Sequence, residues 1–583
     1  EAISRWMDST PAISPKIMGN ATALCPPLAF ERTPGAASRP LPAKYRRRHP
    51  EATALHRVVR DHVQDLLAEA RRRYDSGAGY PPFVEHEFSR YLACGMLQHG
   101  FARLRCPSCG TERLVAFSCK GRLCPSCWAR RAADTAADLV DRVLPEARYR
   151  QWVLTLPWEM RYHLATDKAF LSRVLTTFQR TVAAWLRLRA RQAGLPGGET
   201  GAVTFIQRFG GILNLNPHFH TVFLDGVFVE GQDGSDGPRV FQPVPAPTDH
   251  DIEALALRLA QRLGKLARRR FEQASEELET LDTDTLPLRS VSAEAIQIPG
   301  PRAPRHQTDI FGEGPPDDQG GAAPGHKPLC ARVNGFSLHA ARVVESSDRD
   351  GLERLCRYGL RAPFSQDRLS LTTDGQVRYR LHRPWPTPAG RTEIVLEPVA
   401  FLRRLATLLP APYQNLVRYH GVFANRSRYR KALPHPPARL KNARGDDNTP
   451  GDRQLPNVPV TPKPGEFRKR THPSWAALLH RALHVDALSC PRCATPMVVL
   501  AFLTDPAVVT RILDHLHLPS TVPTIAPARD PDDLWAMDDH GVREPTSGYV
   551  TVGRLALRRR RPGNKASRPG PGPARDPPAV NIS

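Results

Sequence analysis

Six of the chain's 11 cysteines fall in the 34 residues from Cys94 to Cys127, and that crowding constrains how the segment can fold. Cys106 and Cys109 form one C-x2-C knuckle and Cys124 and Cys127 a second, with fourteen residues between them. Each knuckle presents two thiolates on a tight turn, and four thiolates complete a tetrahedral shell for a structural Zn2+. The spacing therefore predicts one zinc site built from Cys106, Cys109, Cys124 and Cys127. Cys94, His99 and Cys119 supply three donors for a second zinc site whose fourth ligand is not evident. Cys490 and Cys493 form an isolated knuckle, with His480 and His484 as the nearest candidate partners. Such clustering, with no secretory pattern near the start, argues for metal ligation in a reducing cytoplasm rather than for disulfides. A zinc deaminase would need His-x-Glu, but His86 and Glu87 are adjacent. A metalloprotease helix would need His-Glu-x-x-His, and residues 86–90 read HEFSR.

Charge narrows the partner. Lys and Arg number 82 against 58 Asp and Glu over 583 residues, a net +24, which points to a polyanion and first to nucleic acid. The longest apolar run, Met497 to Leu503, is far too short to span a bilayer, so no membrane partner is expected.

Patterning along the chain predicts an α+β protein, with a central sheet flanked by helices behind a small Cys-rich domain. Residues 1–50 read as a disordered basic segment and 51–145 as a helix (55–73) plus the zinc-binding domain. Residues 146–424 read as the main domain. It has strands at 151–156 and 202–208, a strand pair or one long strand with a Gly-containing bend at 219–229, helices at 170–191 and 250–275, and a Pro/Gly-rich insertion at 295–328. A basic Pro-rich linker (425–468), a small helical module carrying the last knuckle (469–520) and a disordered basic tail (521–583) complete the reading. Basic runs at Arg46–Arg48, Arg426–Arg444 and Arg558–Arg561 are candidate phosphate contacts.

The chemistry centres on Asn216-Pro217-His218-Phe219-His220. On a strand, i and i+2 share a face, so His218 and His220 project together and Phe219 turns into the core. Two imidazoles side by side form part of a shell for a divalent cation, leaving positions open for water and a phosphate oxygen. Gln207, ending the preceding strand, is a candidate third ligand. Downstream, LERLCRYGLRAPFSQDRL places Tyr358 near a helix end, with Arg357, Arg361 and Arg368 as candidate DNA contacts. A phenol attacking a phosphodiester needs deprotonation, charge neutralisation and in-line placement. Tyr419 and Tyr429, also among basic residues, remain alternatives at this point. A non-catalytic zinc-finger DNA-binding protein is the competing function.

The ordered set CGMLQHG, RCPSCG, FSCKGRLCPSC, RQWVLTLPWEMRY, LNPHFHTVFLDGVF, GFSLHAARVV, LERLCRYGLRAPFSQDRL, RYHGVFA and WAALLHRALHVDALSCPRC resembles the IS91-type insertion-sequence transposases over residues 55–520. These belong to the HUH (His-hydrophobe-His) endonucleases. The resemblance implies that His218 and His220 bind a catalytic Mg2+ or Mn2+, that Tyr358 is the nucleophile, and that the cysteine domain recognises DNA. The implied reaction nicks and joins single-stranded DNA at transposon ends and target, through a 5′-phosphotyrosine, in rolling-circle transposition. Relatives with two tyrosines carry them four residues apart; position 354 here is Arg354, the single-tyrosine pattern.

Overall fold

The computed structural model describes residues 43–44, 47–72, 79–231, 239–280, 328–382, 392–434, 481, 485–486 and 488–529. All belong to one compact unit that ends at Asp530. The insertion at 295–327, most of the 425–468 linker and the tail beyond 530 lie outside these residues, as does most of the 1–50 segment.

The protein is α+β. Its main sheet is assembled from β3 (Tyr149–Thr155), β4 (Gly201–Phe209), β5 (Leu215–Leu224), β8 (Cys330–Val333), β9 (Phe336–His339), the short β10 (Val343–Val344) and β14 (Val417–Gly421). Their order is β14-β4-β5-β3-β9-β8, with β10 also on β3, and every pairing is antiparallel. Of the two readings of 219–229, the structure has the strand pair: the stretch divides at Asp225 into β5 and β6 (Gly226–Val229), which hairpins with β7 (Val240–Pro243).

Period-two alternation gives this sheet two buried faces. Trp152, Leu154, Phe219 and Phe223 point to one side, where α5 (Lys168–Gln192) and α6 (Asp249–Thr280) cover them through Phe178, Val182, Leu259 and Leu263. Asp167 starts α5 by accepting hydrogen bonds from the amides of Ala169 (2.8 Å) and Phe170 (2.9 Å), the usual N-cap arrangement. Val203, Phe205, Val222 and Leu224 point to the other side, against Leu352, Leu355 and Cys356 of α7 (Arg349–Gly359). α3 (Pro125–Asp138) lies beside α7 and adds Ala136 to that layer. Between β3 and β6, Asp225 is buried and takes Arg150 in a two-pronged ion pair (2.8 and 3.0 Å).

A third core joins the N-terminal helices to the segment after α7. α1 (Ala54–Arg72) and α2 (Pro82–Leu92) bury Leu55, Val59, Leu66 and Phe88 with Phe401, Leu402 and Leu405 of α8 (Pro398–Leu408). The small sheet β11 (Leu369–Leu371), β12 (Val377–Arg380) and β13 (Glu393–Leu396) packs into the same cluster.

Three expectations about the later chain need correction. The last knuckle does not sit in a separate helical module. It leads into β15 (Val498–Leu503), which pairs with β1 (Phe101–Arg105) and through it β2 (Glu112–Ala116), and then into α9 (Pro506–His515). The segment after 520 is folded through Arg529, which binds buried Asp65 of α1 through its amide (2.8 Å) and guanidinium. The first residues assigned to the linker form a 3-10 turn, Arg428–Ala432, and bury Leu433.

Candidate active site and metal centres

β5 is interior to the sheet, and its even-numbered residues bring His218 and His220 to the α7 side. The Nδ1 of His218 donates to the carbonyl of Asn216 (2.8 Å), which leaves its Nε2 lone pair facing the Nε2 of His220, 3.1 Å away. The amide of Gln151 on β3 bonds the Nδ1 of His220 at 3.1 Å. Burial, with Arg361 and Arg161 nearby, pulls His218 down to about 4. Burial, then His218 and Arg361, hold His220 well below the ordinary imidazole range. Both rings are thus neutral at neutral pH, the form that ligates a metal. Two nitrogens bound cis on one ion at about 2.1 Å would stand roughly 3 Å apart, close to the spacing observed.

Gln207 faces His218 across the β4–β5 register. Its Nε2 donates to the carbonyls of Tyr358 (2.9 Å) and Gly359 (3.0 Å), which fixes the amide's orientation. Its Oε1 is buried without a hydrogen-bond partner. A buried carbonyl oxygen is costly to leave unpaired, and a cation would satisfy it. The three side chains therefore fit a divalent-cation site.

Asp348 caps α7 by accepting from the amide of Gly351 (2.8 Å), and Tyr358 stands one residue from the helix's end. The Tyr358 ring meets His220 edge-on, with centroids 5.4 Å apart and planes at 87°. Tyr358 is 47% exposed, so a solvent-accessible tyrosine lies against a buried His220 and a half-buried His218. Gly359 permits this approach: a Cβ there would lie 2.4 Å from Cδ2 of Phe205. The Arg361 guanidinium covers the Tyr358 ring at 4.7 Å, and its Nε is buried without a hydrogen-bond partner.

The other candidates lie elsewhere. Arg357 is engaged with buried Glu353 (3.9 Å), which Arg481 also binds (2.7 Å). Arg368 ends a 3-10 turn whose Gln366 reaches Thr53 and Tyr91. Tyr429 is sandwiched by the guanidiniums of Arg239 (4.3 Å) and Arg428 (4.6 Å). Tyr419 is on β14 at the sheet edge. Arg354, where two-tyrosine relatives carry a tyrosine, is exposed and 3.7 Å from Asp348.

The cysteines group differently from the expected knuckle-to-knuckle pairing. Cys94, Cys119, Cys124 and Cys127 converge, with Sγ separations of 3.6 Å (Cys94–Cys124 and Cys94–Cys127) and 3.5 Å (Cys119–Cys127). Cys106 and Cys109 instead meet Cys490 and Cys493, at 3.4 Å (Cys106–Cys493) and 3.6 Å (Cys109–Cys490). Zn–S bonds of about 2.3 Å in a tetrahedron put sulfurs roughly 3.8 Å apart, whereas a disulfide needs about 2.05 Å. His99 ends the 3-10 turn Leu97–His99 and belongs to neither group. The split is topological: β1 and β2 carry the first knuckle away from α3, whose N-terminus holds Cys124 and Cys127. Arg48 packs beside Cys94, Cys124 and Cys127, where its charge offsets the thiolates.

Residues 59–156 match the family model Zn_Tnp_IS91, "Transposase zinc-binding domain", and residues 201–431 match Y2_Tnp, "Putative transposase". The chain belongs to the IS91-type transposase family. The first match encloses the Cys94–Cys127 group, and the second encloses Gln207, His218, His220, Tyr358 and Arg361. No curated protein and no solved structure matches the chain. Among the described residues of the transposase, no helix is long and apolar enough to cross a membrane.

Two features of the transposase escaped the sequence reading. Arg161 on α4 (Trp158–Thr166) is close enough to depress His218, and its Nε is buried without a hydrogen-bond partner. A lone arginine on a short helix carries no signal of that role. The second cysteine quartet did carry one. Cys106-Pro-Ser-Cys109-Gly-Thr111 and Cys490-Pro-Arg-Cys493-Ala-Thr495 are the same turn. In each, the first cysteine's amide donates to the threonine carbonyl (2.8 and 2.9 Å). In each, too, the residue after the second cysteine has positive φ, 71° at Gly110 and 60° at Ala494.

Proposed function

We propose that this transposase nicks and rejoins single-stranded DNA at transposon ends and target, with Tyr358 as the nucleophile. The observation that carries the reading is an exposed phenol packed on His220, beside a neutral imidazole pair and the unpaired oxygen of Gln207. Sequence resemblance and this arrangement together favour an HUH-type catalytic domain.

The Tyr358 oxygen attacks the scissile phosphorus and gives up its proton. The P–O3′ bond breaks, a 5′-phosphotyrosine forms, and the departing strand leaves as a free 3′-OH once protonated. The diester energy is kept, so attack by a 3′-OH reverses the step and joins strands without ATP. His218, His220 and Gln207 would hold a divalent cation, Mg2+ or Mn2+, that neutralises phosphate charge. Arg361, above the phenol ring, and Arg161, near His218, add fixed positive charge where the phosphorane develops negative charge. Structural zinc in the cysteine quartets would hold the DNA-recognition part of the chain in shape.

The test is cleavage of single-stranded DNA carrying the element's ends in Mg2+ or Mn2+, read as a covalent adduct on a denaturing gel. The parent should form the adduct; Tyr358→Phe and His218→Ala/His220→Ala should not. Tight binding without an adduct in the parent would favour the binding-only alternative.

A further inference from the structure

A cavity of about 550 Å³ opens beside the candidate active site and shares Gln207, Gly359 and Arg361 with it. One wall belongs to the cysteine-bearing part of the chain, through Arg122, Trp128 and Arg131. The opposite wall is the sheet edge, through Arg208 on β4 and Arg418 and Tyr419 on β14. Five arginines thus line one cavity, and no aspartate or glutamate does.

The charge is poorly compensated. Arg208 is buried, and it donates to neutral groups: the carbonyls of Ala165 (3.0 Å) and Thr407 (3.2 Å) and the Gln414 side chain (3.4 Å). Burial and the neighbouring Arg122 lower it to about 10. The acid that acts on Arg122 is Glu87, whose carboxylate already accepts the amides of Arg122 and Leu123. The Nε atoms of Arg208, Arg361 and Arg418 are all buried without hydrogen-bond partners. A buried guanidinium without a counter-ion, as at Arg208, is costly, and an anion seated among these arginines would offset that cost. Trp128 and Tyr419 add aromatic surface of the kind on which bases stack.

We propose that this cavity captures an unpaired nucleotide of single-stranded DNA close to the scissile bond, its phosphates on the arginines and its base against Trp128 or Tyr419. The inference rests on the nickase reading and extends it by naming where the strand is gripped. A base must leave a duplex to enter a cavity walled on two sides, so the cavity selects single strands over duplex. Its volume falls in the range of roughly 300–1,000 Å³ that holds one small ligand. Continuity through Arg361 sets the gripped nucleotide next to the phosphate that Tyr358 attacks.

The test is binding of the full-length protein to a fluorescent single-stranded oligonucleotide across a salt series. Arg131→Ala/Arg418→Ala should weaken binding about tenfold or more and reduce the log K against log salt slope by about 1.4, or 0.7 per lost phosphate contact. Duplex binding should be unchanged. An unaltered slope, or equal loss for duplex, would overturn the proposal. So would displacement of the strand by millimolar inorganic phosphate or a mononucleotide, which would mark a free-anion site. A 5-iodouracil oligonucleotide photocrosslinked to the unmodified protein should label Trp128 or Tyr419; labelling confined to other peptides would also refute it. Binding is read independently of cleavage, so a failed adduct assay with intact single-strand selectivity would sink the nickase reading and leave the cavity standing.

Discussion

Replacing Cys490 and Cys493 by serine separates the observed cysteine grouping from the simpler one. The two quartets predict two zinc ions per chain. If the two N-terminal knuckles shared one ion, Cys490→Ser/Cys493→Ser would leave zinc content unchanged; the observed grouping requires it to fall from two to one. Cys106→Ser/Cys109→Ser should remove the same ion, and Cys124→Ser/Cys127→Ser the other. The structural consequence can be sized. Apparent zinc binding in small structural sites is worth about 10–16 kcal/mol at neutral pH. β15 adds little packing of its own: Val498, Val499, Leu500 and Phe502 are 48–71% exposed. Without the metal, β15 should open from β1 at much lower cost, with α9 still held by Val509 and Leu513 against Leu97 and Phe101, while β4 and β5, buried between helices in separate cores, keep their protection. Hydrogen exchange should therefore show β15 and β1 amides losing at least about 100-fold in protection, with β4 and β5 unchanged, alongside metal analysis. Two zinc ions retained in Cys490→Ser/Cys493→Ser, or unaltered protection of β15, would refute the reasoning.

Trp128 on α3 donates its Nε1 hydrogen to the carbonyl of Leu360 (2.7 Å), two residues past Tyr358. Trp128→Phe, which keeps an aromatic face, should cost about 1–2 kcal/mol of ordering at that turn and slow adduct formation roughly tenfold, with little change in oligonucleotide Kd in a binding titration. Gly359→Ala drives a Cβ into Phe205 and should destabilise the fold by about 1–3 kcal/mol in urea unfolding, with adduct yield falling while zinc content holds. Asp225→Asn removes the charge that Arg150 (2.8 Å) and Arg148 (3.0 Å) share inside the fold, and should cost about 3–5 kcal/mol by the same assay.

The local pattern of this chain was readable where an element shows a clean period, as β3, β4 and the helices α1 and α5 do; the short strands β8, β9, β10 and β14 of the same sheet show none. α1, α5, β3 and β4 begin and end within two residues of their expected bounds. The shared direction of His218 and His220 follows from the same alternation. What escaped depends on contacts remote in sequence. The first knuckle's partners lie more than 380 residues away, and no local spacing reveals that β15 will pair with β1. The apolar run at Met497–Leu503 was too short for periodicity to separate strand from helix. Asp65 and Arg529 look like unrelated surface charges until the fold joins them. Gln207 could be nominated from its strand position, but its unpaired oxygen emerges only once Nε2 is committed to the turn after Tyr358.

The most direct measurement is peptide mapping, by mass spectrometry, of the adduct trapped on a single-stranded transposon-end oligonucleotide. The expected result is one nucleotide-modified peptide, carrying the 5′ phosphate of the downstream fragment on Tyr358. Attachment at Tyr419 or Tyr429, or a modified serine, would contradict the assignment of the nucleophile and with it the role given to the His218–His220 pair.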